Sequence, residues 1–294
     1  MNNFKHTSVL LKESVDALEV RPDAWYIDAT LGGGGHAARI LELGGNVLGI
    51  DQDRAAIEFV TEDQKSNIKD QRLILEQGNF EDIAEIVKKN DLVGKVVGVL
   101  FDLGVSSFQI DQSGRGFSIR REEPLDMRMS ETGKVTAAEV VNRWSVTELE
   151  EIFLKYGEEE RARQIAEVIV EQRAIKPFET SKELASFIET TVKRSGEIHP
   201  ATRVFQAIRI VVNKELEALK MGLRGAMELL ESEGRVSVIS FHSLEDRITK
   251  QSFREFEAAG IGKIITKKPI TPTEMEVQTN RRARSAKLRV IEKV

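Results

Sequence analysis

With 294 residues the chain has room for roughly two domains of about 150 residues each. Apolar residues make up 40% and charged residues 31%, an ordinary globular balance that excludes a disordered, collagenous or fibrous chain. The net charge of −5 does not mark a generic polyanion binder, and the absence of cysteine removes disulfides, thiolate metal sites and cysteine nucleophiles. The start, Met1 to His6, leads into no apolar secretory segment. The longest apolar run, Val96 to Phe101, is too short to cross a bilayer, so a soluble cytoplasmic protein is expected. Strand-like runs follow at Trp25–Thr30, Asn46–Asp51, Arg72–Glu76 and Val96–Asp102, with helical patterns between them, for example over 37–43 and 53–60. Strands separated by helices at this spacing predict βαβ units, and their near-continuous apolar character predicts a parallel sheet covered on both faces.

Beyond Leu103 the pattern changes to charged and glycine-containing loops and then to helices. Glu158-Glu159-Glu160 is expected to open a helix carrying Ala162, Ile165, Ala166, Ile169 and Val170. Pro200 is expected to begin one long amphipathic helix reaching Leu230. Arg235–Ser240 returns to strand character, Ser243 and Asp246 suggest a capping box for a helix ending near Gly260, and Ala286–Ile291 is the last strand candidate. The reading is an α/β domain in two parts, 1–109 and 206–294, interrupted by a helical insertion over 110–205. Charge is uneven: residues 262–294 carry nine basic against three acidic residues, a net +6 that leaves −11 for the rest. Such asymmetry points to a polyanion-facing end or a solvated basic surface.

Asp28-Ala29-Thr30-Leu31-Gly32-Gly33-Gly34-Gly35-His36 holds the most chemical content. Glycines between a strand and a helix allow a sharp turn and close ligand approach, as in the nucleotide site of a doubly wound sheet. Gly32, Gly34 and Ala37 fit the dinucleotide pattern G-x-G-x-x-A, and Asp51 stands where a ribose-binding acid is expected. A nicotinamide dinucleotide, however, brings a pyrophosphate, which favours bare amides. S-adenosylmethionine brings a sulfonium and an ammonium, which favour carboxylates. Asp28, Asp51 and Asp102 end three of the strands, and three acids at that edge favour the cationic ligand. Phe80 would lie beside the crevice, either against an adenine face or as an ordinary core residue.

His6, His36, His199 and His242 are scattered without a metal-binding spacing, so no protein-built metal site is expected. No Gly-x-Ser-x-Gly elbow accompanies His242-Ser243, which argues against a serine hydrolase. Arg281-Arg282-Ala283-Arg284 with Lys287 and Arg289 suits phosphate contacts. The Arg115-Gly116-Phe117 loop is a candidate for holding a base, or simply a surface loop.

Further segments complete a pattern: His6–Glu13, Asp102–Ser107, Arg115–Ser118, Pro124–Met129, Gly157–Glu159, His199–Arg203 with Phe205-Gln206-Ala207, Ile239–Arg247 and Ala283–Arg289. Together with Asp28–His36, and in this order over nearly the whole chain, they resemble the bacterial ribosomal small-subunit methyltransferase H family, also called MraW. The resemblance implies a Rossmann-like class I S-adenosylmethionine-dependent methyltransferase fold with an inserted helical domain, and 16S rRNA in the small ribosomal subunit as partner. It implies methylation of the exocyclic N4 of a cytosine near the decoding centre. By position, it assigns Gly34, Gly35 and His36 to the methionine side of the donor, Asp51 to the ribose and Phe80 to the adenosine. Asp102 and Gln109 complete that pocket. Phe108 and Arg281 stand where the family frequently has proline. A cytosine amino group is a poor nucleophile, and hydrogen-bond acceptors on its protons favour a pyramidal, reactive nitrogen. Asp102 is the candidate catalytic residue for orienting it, though it could serve the donor alone. The competing readings are a nicotinamide-dependent oxidoreductase, favoured by the glycine pattern alone, and a non-catalytic ribosome-assembly factor with a relic pocket.

Overall fold

The computed structural model describes residues 8–104, 114–130, 132–192 and 199–294. The chain forms two compact units, one of Met1–Gly104 with Leu216–Val294 and one of Val105–Glu215. The first unit is built on a seven-stranded sheet ordered β3-β2-β1-β4-β5-β7-β6. Its strands are β1 (Trp25–Asp28), β2 (Asn46–Asp51), β3 (Leu73–Gln77), β4 (Val96–Asp102), β5 (Leu230–Ser240), β6 (Gly262–Ile264) and β7 (Lys287–Lys293). The first five pair in parallel, and β7 runs antiparallel to both β5 and β6. The expected α/β class and parallel sheet are therefore present.

Sequence explains the central strands. Val96–Phe101 is buried throughout because β4 lies between two other strands and under helices on both faces. Gly98 of β4 carries no side chain where a Cβ would come 2.7 Å from the ring of Tyr26, whose hydroxyl accepts a hydrogen bond from the Arg21 amide. Helices connect the parallel strands: α1 (Leu11–Asp16) precedes β1, α2 (Gly35–Glu42) follows it, and α3 (Arg54–Asp63) and α4 (Lys65–Lys69) follow β2. After β3 a 3-10 turn, Phe80–Asp82, leads into α5 (Ile83–Lys89). One residue-length detail escapes the periodicity altogether: β6 has three residues, too few to show an alternation.

The second unit is helical: α6 (Ala137–Arg143), α7 (Val146–Lys155), α8 (Ala162–Ile175), α9 (Ser181–Thr191) and α10 (Ala201–Asn213) enclose a core including Phe153, Ile165, Ile188 and Ile208. Ser145 and Thr180 each form a capping box with a glutamate three residues on. The break drawn at 205/206 falls inside α10.

Three local expectations are corrected. The long helix after Pro200 is two, α10 and α11 (Glu215–Leu229), because Lys214 adopts a left-handed conformation at φ 51°. Beside that break the Asn213 side chain is drawn away to the amide of Met129 and the carbonyl of Met127. Glu158–Glu160 forms a turn, with Glu158 at φ 49°, and α8 starts only at Ala162. The helix after β5, α12 (Ser243–Ala258), is capped by His242 and Glu245 rather than by Ser243 and Asp246, because Asp246 faces Lys287 and Arg289 instead. A last helix, α13 (Glu274–Thr279), and a 3-10 turn, Arg281–Ser285, precede β7. Among the described residues no helix is long and apolar enough to cross a membrane.

Candidate functional site

The carboxyl ends of β1, β2 and β4 place Asp28, Asp51 and Asp102 at one edge of the sheet. This is the edge where open α/β sheets bind ligands. The glycine loop rises from β1 at this edge. Gly34 is the N-cap of α2 at φ 75°, a conformation that any side chain would strain, and Gly35 lies against Ser8 so closely that a Cβ would collide with its Oγ. Asp51 holds the loop in place: its two oxygens accept the amides of Gly32 and Asp53, each at 2.8 Å. Thr30 ties the loop to β4, its hydroxyl accepting the Asp102 amide at 2.6 Å while its own amide donates to Asp28 at 3.3 Å.

The two remaining acids differ from Asp51. Asp28 is fully buried, and among the described residues its Oδ2 has no hydrogen-bond partner; nor has Oδ1 of Asp102. An unpaired buried oxygen of this kind is costly in an otherwise satisfied interior. Burial, partly offset by the Thr30 and Ala37 amides and reinforced by the Asp51 charge, pushes the Asp28 carboxyl up to about 7. Burial, together with the charges of Asp28 and Glu245, holds the Asp102 carboxyl well above the usual carboxylate range. His36, buried in the first turn of α2, lies with Nδ1 3.8 Å from Asp102 Oδ2 and Nε2 3.3 Å from the Val9 carbonyl.

Glu245 went unrecognised in the sequence. It is buried at the start of α12, accepts the amides of Phe241 and His242, and adds negative potential at Asp102. Its segment stands among the motifs, but its spacing there shows no more than a helix cap. Phe80 is partly buried and packs edge-on against Phe101, with ring centroids 5.6 Å apart. Gly222 of α11 allows this, since a Cβ there would come 2.8 Å from the Phe80 ring. Gln109, Phe108 and the Val105–Ser107 part of the motif after β4 lie outside the described residues.

Two motifs resolve into structure. Arg115 donates to the carbonyls of Arg128 and Met129 and stacks on Phe117, so this loop is stapled within the second unit. His199 caps α10 through its Nδ1, which accepts the Ala201 amide at 3.2 Å. The basic tail is also narrower than its count: Lys287 and Arg289 both bind Asp246, and Lys293 donates to the carbonyls of Glu228 and Leu230. Lys287 and Arg289 thus tie α12 to β7 through Asp246.

A sheet edge with a bare-backbone loop and buried carboxyl oxygens that have no partner among the described residues suits a cationic ligand and opposes a pyrophosphate. Residues 3–294 match the MraW methylase family. The chain belongs to that family. It is a methyltransferase, and the MraW match covers both units. Among its relatives is "Ribosomal RNA small subunit methyltransferase H" of Brevibacillus brevis, 45% identical and matched over 99% of either chain. The protein of the same name from Clostridium botulinum is 45% identical over 99% of this chain and 99% of its own. A solved rRNA methylase from Streptococcus thermophilus is 12% identical, with a TM-score of 0.43 over 98% of each chain.

Proposed function

We propose that this MraW methylase transfers a methyl group from S-adenosylmethionine to the N4 amine of a cytosine in 16S rRNA near the decoding centre, acting in the cytoplasm on the small ribosomal subunit. The observation that carries the donor is the pair of buried oxygens, Asp28 Oδ2 and Asp102 Oδ1, beside the glycine loop, neither with a partner among the described residues. A ligand bearing both a sulfonium and an ammonium supplies the positive charge and donors that these oxygens lack. The 45% identity to proteins named as small-subunit rRNA methyltransferases supports the substrate class.

In this reading Gly34, Gly35 and His36 receive the methionine portion, Asp51 the ribose hydroxyls and Phe80 the adenosine, with Asp102 and Gln109 completing the pocket. S-adenosylmethionine supplies an electrophilic methyl carbon on sulfur. Positioning carries much of an in-line displacement, and the loop fastened by Asp51 and Thr30 provides a rigid frame for it. Asp102 accepts a hydrogen bond from the cytosine amine, which localises the nitrogen lone pair toward the methyl carbon. The proton lost from N4 as the new N–C bond forms needs an acceptor, and a carboxylate whose affinity for protons is raised serves that role. Within folded RNA the base must be splayed out to present its amine.

Mass spectrometry of small-subunit RNA from cells with and without the gene tests the proposal: one N4-methylcytosine is expected to disappear. An unchanged modification profile overturns it. In a thermal-shift assay S-adenosylhomocysteine should raise the melting temperature and NADH should not.

A further inference from the structure

The basic tail has one part, the Arg281–Ser285 turn, that stands at the sheet edge carrying the donor-site acids. β7 runs antiparallel to β5, and Lys287 pairs with Ser240, so the start of β7 lies at the same edge as the carboxyl end of β5. The Arg281–Ser285 turn immediately precedes it and therefore stands at the edge that carries Asp28 and Asp102. The turn is anchored from within. Ala283 and Ala286 are buried in a cluster with Val9, Leu10, Ile239, Leu288 and Val290, and the Asn280 side chain accepts the Arg282 amide. On either side of the buried Ala283, Arg281 and Arg284 are exposed and carry no ion pair among the described residues.

The anchoring cluster also reaches the donor loop. The Val9 carbonyl is the partner of His36 Nε2, and the Leu10 amide donates to Glu276 of α13 at 2.7 Å. A bridge between Ile270 and Leu288 brings the segment with exposed Lys267 and Lys268 beside the same strand. Exposed Arg281, Arg284, Lys267 and Lys268 thus put positive charge, in an otherwise acidic chain, at the sheet edge that carries Asp28 and Asp102.

We propose that the Arg281–Ser285 turn is a phosphate-binding ledge for the RNA strand carrying the acceptor base, with Arg281 and Arg284 as its contacts and Lys267 and Lys268 extending it. The ledge rests on the rRNA reading given above and names the surface through which that substrate is held. Guanidinium groups on a fixed turn match phosphate oxygens in geometry, conferring affinity and register without reading sequence.

The test uses the full chain with the double substitution Arg281→Ala and Arg284→Ala, and Lys88→Ala with Lys95→Ala at the opposite edge of the sheet as control. Binding of 16S rRNA is followed as a function of salt, alongside calorimetric binding of S-adenosylhomocysteine. The ledge variant should bind RNA roughly tenfold more weakly at moderate salt, and its log–log salt slope should fall by about 1.4, the value for two single-strand phosphates. KM for RNA should rise with kcat unchanged, while S-adenosylhomocysteine affinity and the control variant match the parent. Unchanged RNA affinity and slope in the ledge variant overturn the proposal. Weaker binding to ribosomal particles with unchanged binding to naked RNA also overturns it, and assigns the turn to a protein surface. Failure of the parent chain itself to bind RNA overturns the substrate reading, and the ledge falls with it.

Discussion

Two clusters of charged and glycine residues look equally eventful in the sequence but behave oppositely in the structure. In the second unit Asp126 binds Arg128 through two oxygens, Arg115 is held by two carbonyls, and buried Glu123 accepts the Gly116 amide at 3.0 Å. Every one of these groups finds its partner inside the chain. At the sheet edge of the first unit, Asp28 and Asp102 each keep a buried oxygen with no partner among the described residues. A cluster that satisfies itself is architecture, whereas a cluster left incomplete is shaped for something that arrives. Where the hydrogen bonds end therefore separates function from framework more sharply than residue type does.

Substitutions should expose that contrast. The largest effect is expected at Asp102: Asp102→Ala should lower methyl transfer by about 100-fold or more, as when a reacting group loses its aligned partner. Incorporation of radiolabelled methyl groups into ribosomal particles measures it, and retained turnover at saturating donor would remove any chemical role from this residue. Gly116→Ala should instead act on stability alone. The residue sits at φ 77° and an added Cβ would drive into the Pro124 carbonyl, so a loss of roughly 2–3 kcal/mol is expected by denaturant titration, with S-adenosylhomocysteine affinity preserved.

The pH response of Asp28 sharpens the comparison further. Its folded carboxyl takes up a proton at about 7, above its unfolded value, so the folded state holds that proton between the two. Stability of the unliganded protein should consequently fall as pH rises through this window, by an amount on the order of a few kcal/mol. A cationic donor favours the ionised carboxylate, so donor affinity should rise from pH 6 and level off above 7. Calorimetry on Asp28→Asn should find that rise abolished and the unliganded protein stabilised at pH 8.

Asp126 should show the opposite and smaller trend. Burial opposes its ionisation, but the hydrogen bonds and charge of Arg128 outweigh this and hold the carboxyl below the ordinary range. Its contribution is present above the unfolded value and is lost as pH falls through the folded one. Asp126→Asn should cost about 1 kcal/mol near neutral pH and less in acid, read from urea midpoints.

The parallel strands were legible because each is a buried apolar run bounded by turn residues, and Asp28, Asp51 and Asp102 were legible because each closes such a run. What stayed hidden depends on contacts distant in sequence. Nothing local announces that Lys214 turns left-handed, since the apolar stripe continues across it. The Asp246 side chain reads as a cap until the strand bearing Lys287 and Arg289 is laid beside it. Glu245 reads as no more than a helix cap until the fold buries it where its charge acts on Asp102.

Val9 and Leu10 are packed by Ala283, Ala286 and Val290, residues far away along the chain. His36 gains its carbonyl partner from that early segment. The methionine end of the site therefore depends on β7 in its place between β5 and β6. That end is thus buttressed through the sheet by a strand far away in sequence, and a fault in β7 packing should reach the donor loop through Val9.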